Sequence, residues 1–354
     1  GREVYAPGGR LLAPGDRFRF PALGDALERF GAEGATPFYR GDVAAAISEW
    51  VLERGGTLGA ADLRAYEVCE REPVVTRFAG REVRTNPPPS SGGVLIAFVL
   101  GVLERVRAAG VEPLVGAMDQ AQAARTEDFL EGLGRDGFAA AFLAAEQLDR
   151  AAAAVASGER PQAGEPGPDD RLGSTTHITA LDAEGNCASV TCSNGSGSGV
   201  IVPGTGVHLN NMLGEQDLNP HGFHRHPAGA RLPSMMAPTI VTRDGELEAG
   251  LGSGGSNRIR SAVTQTVLRL VIDDAAVADA VEAPRIHFED GAVQAEPGID
   301  EGALTALEGA GYTVVRWTER NLFFGGVHAA IRDPETGELQ GAGDPRRGGA
   351  VAYA

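Results

Sequence analysis

A short segment rich in proline, glycine and charge divides the sequence into two parts with different hydrophobic patterns. It covers residues 158–174 (GERPQAGEPGPDDRLGS) and ends directly against Thr175. This composition favours an exposed, flexible linker over a packed helix or strand. Before the linker, apolar residues recur every three or four positions, as at 43–52 and 94–107, which predicts helices. After it, β-prone runs begin at once, so the second part opens with sheet.

The second part alternates predicted strands with predicted helices. β-prone runs at 175–181 and 187–192 flank residues 182–186 (DAEGN), which predicts a hairpin through a Gly-Asn turn. We also expect strands at 239–242, 247–251, 312–318, 326–332 and 349–353, and helices at 257–273 and 299–310. Strand pairs that alternate with helix pairs predict a layered α+β sandwich.

Composition limits the class of protein. The chain has 354 residues, 42% of them hydrophobic, which is enough to bury a large core. A formal net charge of −17 argues against nucleic-acid binding. The most apolar run, at 94–106, is shorter than the roughly 20 residues that span a bilayer, so we predict no membrane segment. Cys69, Cys187 and Cys192 lack the parity of a disulfide framework and the spacing of a zinc site, and we expect all three to be buried.

The first residue is Gly1, and no charged segment followed by an apolar one marks a secretory leader. We therefore expect a processed or trimmed chain. The compartment stays open between cytoplasm and export.

Thr175 stands where a cut at the end of the linker would make it a new N-terminal residue. A threonine hydroxyl is a poor nucleophile alone, but a free α-amine, with a pKa of roughly 8, could take its proton. The same hydroxyl could attack the carbonyl of Ser174 and so make the cut. On their own, residues 175–177 (TTH) fit an ordinary strand better than a catalytic site. The neighbouring motifs favour the role of nucleophile for Thr175.

A series of motifs accompanies residues 175–177 in fixed order. They lie at 38–41, 62–73 and 87–93 before the linker, and at 182–186, 209–211, 233–239, 252–259, 282–287 and 341–346 after it. In order and spacing they resemble the gamma-glutamyltransferase family of N-terminal-nucleophile hydrolases over essentially the whole chain. The resemblance implies a four-layer αββα sandwich. Residues 1–174 would be the C-terminal part of a large subunit and 175–354 the small subunit, intertwined in one domain and a heterodimer after self-cleavage.

The catalytic residues implied by the resemblance are Thr175, Ser193, Gly255 and Ser256. Thr175 would be the nucleophile, freed by a cut between Ser174 and Thr175. Ser193, eighteen positions later, replaces the usual threonine that hydrogen-bonds the nucleophile. Gly255 and Ser256 would form the oxyanion hole. The glycine pair alone would favour a simple tight turn between a strand ending at Leu251 and a helix beginning near Asn257, and a helix N-terminus there favours negative charge.

The substrate-binding residues implied by the resemblance are Glu215, Ser234, Asn194 and Gly254. Asn194 matches the family's asparagine although residues 193–198 are two residues shorter than usual. Met212 replaces a glutamine, and Glu215 replaces an aspartate. Of two adjacent serines Ser234 remains, while Met235 brings an apolar side chain to the expected carboxylate pocket. The family's carboxylate-binding arginine belongs to a region upstream of Gly1, and the sequence leaves open whether the native protein contains it.

The implied activity is that of a gamma-glutamyltransferase or glutathione hydrolase without metal or cofactor. Thr175 would attack a γ-glutamyl amide such as glutathione, and the acyl group would pass to water or an amino acid. Met212 and Met235 favour a second interpretation, an acylase of the same fold for glutaryl or cephalosporin-type amides. A third is an inactive fragment or binding protein. The partners would be small molecules, with neither nucleic acid nor membrane.

Two other motifs admit other functions. His221, His224 and His226 lie within residues 219–227 (NPHGFHRHP) and could bind zinc if they converged, but no carboxylate or cysteine completes the set, so we expect a polar surface loop. Residues 87–93 (PPPSSGG) lack the Lys-Ser/Thr of a phosphate loop, and we expect a structural turn before the helix from Val94.

Overall fold

The computed structural model describes residues 1–13, 15–108, 110–161, 174–215, 218–219, 222–333 and 336–354. Residues 162–173 of the predicted linker, and His221 of the histidine-rich loop, lie outside the described residues. The chain forms two units: the first contains Gly1–Arg71 and Asn194–Met212, the second Glu72–Ser193 and Leu213–Ala354. Each unit therefore combines chain from both sides of residue 174.

The first unit is helical in its N-terminal part. Its helices are α1 (Arg2–Tyr5), α2 (Pro21–Glu33), α3 (Thr36–Tyr39), α4 (Asp42–Leu52) and α5 (Ala60–Ala65). Helix α4 buries Val43 and Ile47, four residues apart, against Leu63 and Val202, so the predicted helix at 43–52 is confirmed.

The second unit contains the sheets and the remaining described helices. The strands are β1 (Val74–Phe78), β2 (Arg81–Thr85), β3 (Thr176–Leu181), β4 (Cys187–Cys192), β5 (Thr239–Arg243), β6 (Glu246–Gly254), β7 (Ile286–Glu289), β8 (Ala292–Ala295), β9 (Thr313–Arg316), β10 (Gly326–Arg332) and β11 (Leu339–Gly343). The helices are α6 (Ser91–Val106), α7 (Val111–Ala123), α8 (Glu127–Gly132), α9 (Phe138–Phe142), α10 (Ala145–Ser157), α11 (Arg258–Val271), α12 (Val277–Glu282) and α13 (Glu301–Gly309).

The central sheet is antiparallel, with strand order β1-β2-β5-β6-β10-β11. Helices α6 and α11 pack on one face, and the hairpin β3–β4 packs on β6. A separate sheet has the order β7-β8-β9, with β8 and β9 parallel. The α+β prediction is confirmed, and helices, sheet and hairpin follow the helix-sheet-sheet order of the predicted αββα sandwich.

Alternate glycines on one face of β6 make room for the hairpin. A Cβ at Gly250 would lie 2.5 Å from the sulfur of Cys187, and a Cβ at Gly252 would lie 2.3 Å from the ring of His177. At Gly254 it would lie 2.1 Å from the carbonyl oxygen of Thr175. Side chains on one face of a strand repeat every two residues, so this run of glycines lets the backbone of β6 approach the hairpin closely.

The predicted turn and the helix after it are present, but the helix begins three residues before Val94, so residues 91–93 are helical. Helix α6 begins at Ser91, after the cis peptide bond between Pro88 and Pro89. A Cβ at Gly92 would lie 2.1 Å from the carbonyl oxygen of Met235, so this turn packs backbone to backbone against the segment that contains Ser234.

Several predictions of strands and of cysteine burial are wrong. Residues 349–353 form no strand, because a 3-10 turn at Pro345–Arg347 and Gly348, with φ +61°, reverse the chain after β11. The strand predicted at 312–318 is shorter in the structure, where β9 covers only Thr313–Arg316. The cysteines are not all buried: Cys69 and Cys192 are exposed and Cys187 is half-buried. Cys192 is exposed because it lies on the outward face of the hairpin, whose residues alternate in burial.

Candidate active site

Thr175 and Ser193 lie side by side at the open end of the hairpin. The register pairs Thr176 with Cys192, which brings the preceding and following residues together. Thr175 Oγ1 is 2.9 Å from Ser193 Oγ, and either hydroxyl can donate the hydrogen bond. Thr175 is buried, with 8% of its surface exposed, whereas Ser174 is exposed. The peptide bond between Ser174 and Thr175 therefore joins an exposed residue to a buried one.

The turn at Gly254, Gly255 and Ser256 lies directly against Thr175. Gly254 ends β6 with its backbone in contact with Thr175, and Gly255 and Ser256 follow with φ of +129° and +51°. A serine in the left-handed region is strained, which is common at functional turns. The carbonyls of Gly255 and Ser256 accept hydrogen bonds from the first residues of α11, at 3.0 and 3.1 Å. The positive end of a 14-residue helix thus begins beside Thr175.

Two arginines that the sequence interpretation missed lie near this turn. Arg258 is buried, and its Nε donates to the carbonyl oxygen of Phe323 at 3.2 Å. The Arg347 side chain lies along Gly326, and its Nη2 is 3.7 Å from the position of a Cβ on Gly255. Burial, together with the nearby Arg258, lowers the pKa of Arg347. Both guanidinium groups add positive potential near the turn. Arg258 lies within the motif at 252–259, and Arg347 directly follows the motif at 341–346.

A buried ionic network joins two of the motifs to the site. Arg285 Nη2 lies 2.7 Å from Asp344 Oδ2, and Arg346 bridges Asp344 at 3.2 Å and Glu296 at 2.5 Å. These four side chains are at most 2% exposed. Asp344 also accepts a hydrogen bond from the backbone N–H of Val327 at 3.0 Å, so the network fixes the start of β10 next to Arg347.

His177, two residues after Thr175, is a structural residue in this geometry. Its Nδ1 is 2.8 Å from Thr191 Oγ1 and its Nε2 is 2.8 Å from Thr179 Oγ1. Burial, with a contribution from His328, lowers the pKa of His177 to about 4. The neutral ring therefore supports the hairpin on β6.

The residues expected to bind substrate occupy different environments. Ser234 pairs with Ser90, since its carbonyl oxygen accepts from Ser90 Oγ at 2.9 Å. Glu215 is buried, and its carbonyl oxygen accepts from Asn219 Nδ2 at 2.7 Å. Gly254 lies at Thr175, as described. Asn194 belongs to the first unit, where its carbonyl oxygen accepts from the N–H of Gly197 at 3.0 Å.

Met235 does not extend a pocket as the sequence interpretation assumed. Its side chain is 5% exposed and belongs to the main hydrophobic core, with Sδ 3.8 Å from Ser91 Oγ. The replacement of a serine by Met235 therefore adds core packing, and only Met212 remains as an apolar change at the expected pocket.

The histidine-rich loop shows no metal geometry in its described part. His226 Nε2 lies 3.1 Å from the carbonyl oxygen of Leu218, and His224 is exposed. Within the described ranges, no three His, Cys, Asp or Glu side chains are grouped as metal ligands would be. Nor does any helix in the described part of the chain have the length and apolar character needed to cross a membrane.

A buried threonine hydroxyl at the start of a strand, beside a glycine turn in an α+β sandwich, is the arrangement of an N-terminal-nucleophile hydrolase. Comparison with known proteins narrows this class to one family. Residues 1–354 match the gamma-glutamyltranspeptidase family throughout, and the protein belongs to that family.

Relatives in this family carry two kinds of name. The chain is 33% identical over 361 residues to the acylase ACY 1 proenzyme of Pseudomonas sp. (strain V22), covering 96% of this chain and 62% of the relative. It is 30% identical over 376 residues to the glutathione hydrolase proenzyme of Escherichia coli (strain K12), covering 98% of this chain and 63% of the relative. The chain thus spans under two thirds of the length of these relatives.

A solved structure supports the fold. The cephalosporin acylase from Bacillus halodurans superimposes with a TM-score of 0.79 at 24% identity, over 99% of this chain and 66% of that one. At this identity the likeness concerns the fold alone.

Proposed function

We propose that this protein is an autoprocessing gamma-glutamyltransferase and glutathione hydrolase with Thr175 as its nucleophile. The observation that carries the proposal is the position of Thr175: its hydroxyl is 2.9 Å from Ser193 Oγ, and its backbone contacts the glycine turn at Gly254. Family membership and relatives named glutathione hydrolase proenzymes support it.

Self-cleavage would use the same groups as catalysis. Thr175 Oγ attacks the carbonyl carbon of Ser174, the C–N bond to Thr175 breaks, and an ester to Thr175 Oγ forms while the α-amine is released. Water then hydrolyses the ester, which leaves a carboxylate on Ser174 and a free hydroxyl and amine on Thr175. The products are fragments 1–174 and 175–354, which we propose remain together as an intertwined heterodimer.

In the catalytic cycle the freed α-amine takes the proton of the Thr175 hydroxyl as the oxygen attacks a γ-glutamyl amide. The oxyanion forms next to Gly255 and Ser256, whose own backbone N–H groups stabilise it. The proton passes to the leaving amine. Water or an amino-acid amine then attacks the acyl-threonine ester, giving glutamate or a new γ-glutamyl amide.

Mass spectrometry of the intact protein tests this proposal. Wild-type protein should give two fragments that meet at Ser174 and Thr175 and should hydrolyse glutathione. Thr175→Ala should give one uncut chain without activity, while Thr175→Ser, which keeps a hydroxyl, should still be cut. A wild-type chain that stays whole under native conditions, or one that hydrolyses no amide, would favour the inactive or binding protein.

The second candidate is an acylase for glutaryl or cephalosporin-type amides. Met212 at a position where the family has a glutamine, and the 33% identity to an acylase proenzyme, favour it. The donors γ-glutamyl-p-nitroanilide and glutaryl-p-nitroanilide differ only by the α-ammonium group. Higher kcat/KM for the glutamyl donor supports the transferase, and higher kcat/KM for the glutaryl donor supports the acylase.

A further inference from the structure

A cavity of about 810 Å³ lies in the second unit, between α8 and the loop of residues 222–233. Its volume is within the range of small-molecule sites. Glu127, Glu131 and Arg135 line it from the α8 side, and Arg225, His226 and Arg231 line it from the loop. None of these residues has a role in the chemistry proposed above.

The cavity adjoins two residues that we expect to contact substrate. Asn219 lines it and is itself buried, and its side-chain amide donates to the carbonyl oxygen of Glu215 at 2.7 Å. Pro233 and Pro89 also line it, and each directly precedes a member of the hydrogen-bonded pair Ser234 and Ser90. A ligand that extends past Glu215 or Ser234 would therefore enter this cavity.

The charges that line the cavity are unusual for this chain. Three arginines and two glutamates line it, in a protein of net charge −17. Arg135 pairs with Glu131 at 2.9 Å, four residues apart near α8. Arg225 and Arg231 lie on the facing wall, and guanidinium groups bind carboxylates through two parallel hydrogen bonds.

We infer that this cavity binds a carboxylate on the distal part of an amide substrate, through Arg225 and Arg231. The inference rests on the proposed function, and it assigns to this cavity the recognition of an anionic group on the amide substrate. The carboxylate can belong to the leaving amine or to the acyl chain.

Two matched pairs of donors distinguish these sources. γ-Glutamyl-3-carboxy-4-nitroanilide and γ-glutamyl-4-nitroanilide differ by a carboxylate on the amine, and glutaryl-4-nitroanilide and pentanoyl-4-nitroanilide differ by a carboxylate on the acyl chain. In the double variant Arg225→Gln/Arg231→Gln, the kcat/KM ratio of the carboxylate donor to its neutral partner should fall about tenfold or more in one pair. The pair that responds identifies the source.

A charge-matched control is the double variant Arg77→Gln/Arg150→Gln, since both side chains are exposed, at 85% and 67%, and lie outside the cavity. It should leave both ratios unchanged. Unchanged ratios in the Arg225 and Arg231 variant would overturn the inference, as would equal losses in the control.

Equilibrium dialysis tests binding without catalysis. 5-Amino-2-nitrobenzoate stands for the amine carboxylate and glutarate for the acyl carboxylate. Binding of either by wild type, weakened about tenfold in the Arg225 and Arg231 variant, supports the cavity even if no anilide is hydrolysed, a result that would reject only the proposed function. No difference between the variant and wild type for either probe would reject the cavity.

Discussion

The carbonyl oxygen of Thr175 and the α-carbon of Gly254 are in such close contact that a methyl group on Gly254 would lie 2.1 Å from that oxygen. No real Cβ tolerates this distance, so a side chain at Gly254 must displace the hairpin from β6. The position of the candidate nucleophile thus depends on a residue that has no side chain.

Gly254→Ala should therefore stop self-cleavage and amide hydrolysis. The methyl group moves Thr175 away from the turn at Gly255 and Ser256, and even a shift of about 1 Å costs about 100-fold in rate. Gel analysis of the fragments and kcat measure the effect. Gly309→Ala is the control, because a Cβ there meets nothing within 4 Å and φ is not positive; normal cleavage in both variants would contradict the prediction.

Ser193→Ala should lower kcat while the protein still folds. The variant removes the hydrogen bond of 2.9 Å to Thr175 Oγ1, and a lost hydrogen bond at a reacting group costs about 1–3 kcal/mol, or about 5- to 150-fold in rate. Ser193→Thr keeps a hydroxyl and should retain most of the activity. Steady-state kinetics on cleaved protein measures kcat; equal losses in the two variants would show that the hydroxyl itself is not required.

Asp344→Ala should destabilise the second unit strongly. It leaves the buried Arg285 without its carboxylate partner, while Arg346 keeps Glu296, and breaking a buried pair in this way costs about 3–5 kcal/mol of unfolding free energy. Urea unfolding monitored by circular dichroism gives the value. Glu308→Gln removes an exposed partner of Arg316 and should have a much smaller effect, so comparable losses in both variants would refute the argument.

Stability should fall as the pH drops from about 6.5 towards 4. Burial and His328 lower the folded-state pKa of His177 to about 4, whereas an unfolded histidine titrates near 6.5. The unfolded chain therefore binds more protons in this window, and His177 alone accounts for a loss of about 3 kcal/mol by pH 4.

Urea unfolding at several pH values between 4.5 and 7 measures this slope. His177→Asn removes one titrating group and should reduce the slope, whatever its stability at pH 7. The remaining slope comes in part from His287, since burial lowers the pKa of that ring to about 4 as well. His224→Asn changes an exposed histidine and should leave the slope as in wild type. A His177 variant with an unchanged slope would show that another group titrates.

Local patterns were sufficient for the long helices and for the hairpin. Helices α4, α6 and α11 and strands β3 and β4 have clear periodicity and stop signals, and the loop of residues 182–186 closes with Gly185 at φ +86°. Strands β1 and β2 escaped prediction because they are short and charged, although Ala79 and Gly80 between them form a tight turn with positive φ at both residues.

The site was predictable to the extent that it is local in sequence or follows a motif. The placement of Ser193 beside Thr175 follows from hairpin register, which a count of residues can anticipate. Arg347 and the network of Arg285, Glu296 and Asp344 depend on contacts between distant segments. Arg285 and Asp344 lie in motifs at 282–287 and 341–346, but single-sequence patterns carry no information about such pairings, so the contacts emerged only from the structure.

The order of strands in the central sheet has a consequence for how the protein must be made. β2, from before residue 174, pairs directly with β5, from after it, through the register of Thr85 with Thr239. If the gene were divided after the codon for residue 174, each product would carry an unpaired strand edge open to aggregation. Both halves would then have to be synthesised in the same place and at the same time, each acting as the folding template of the other.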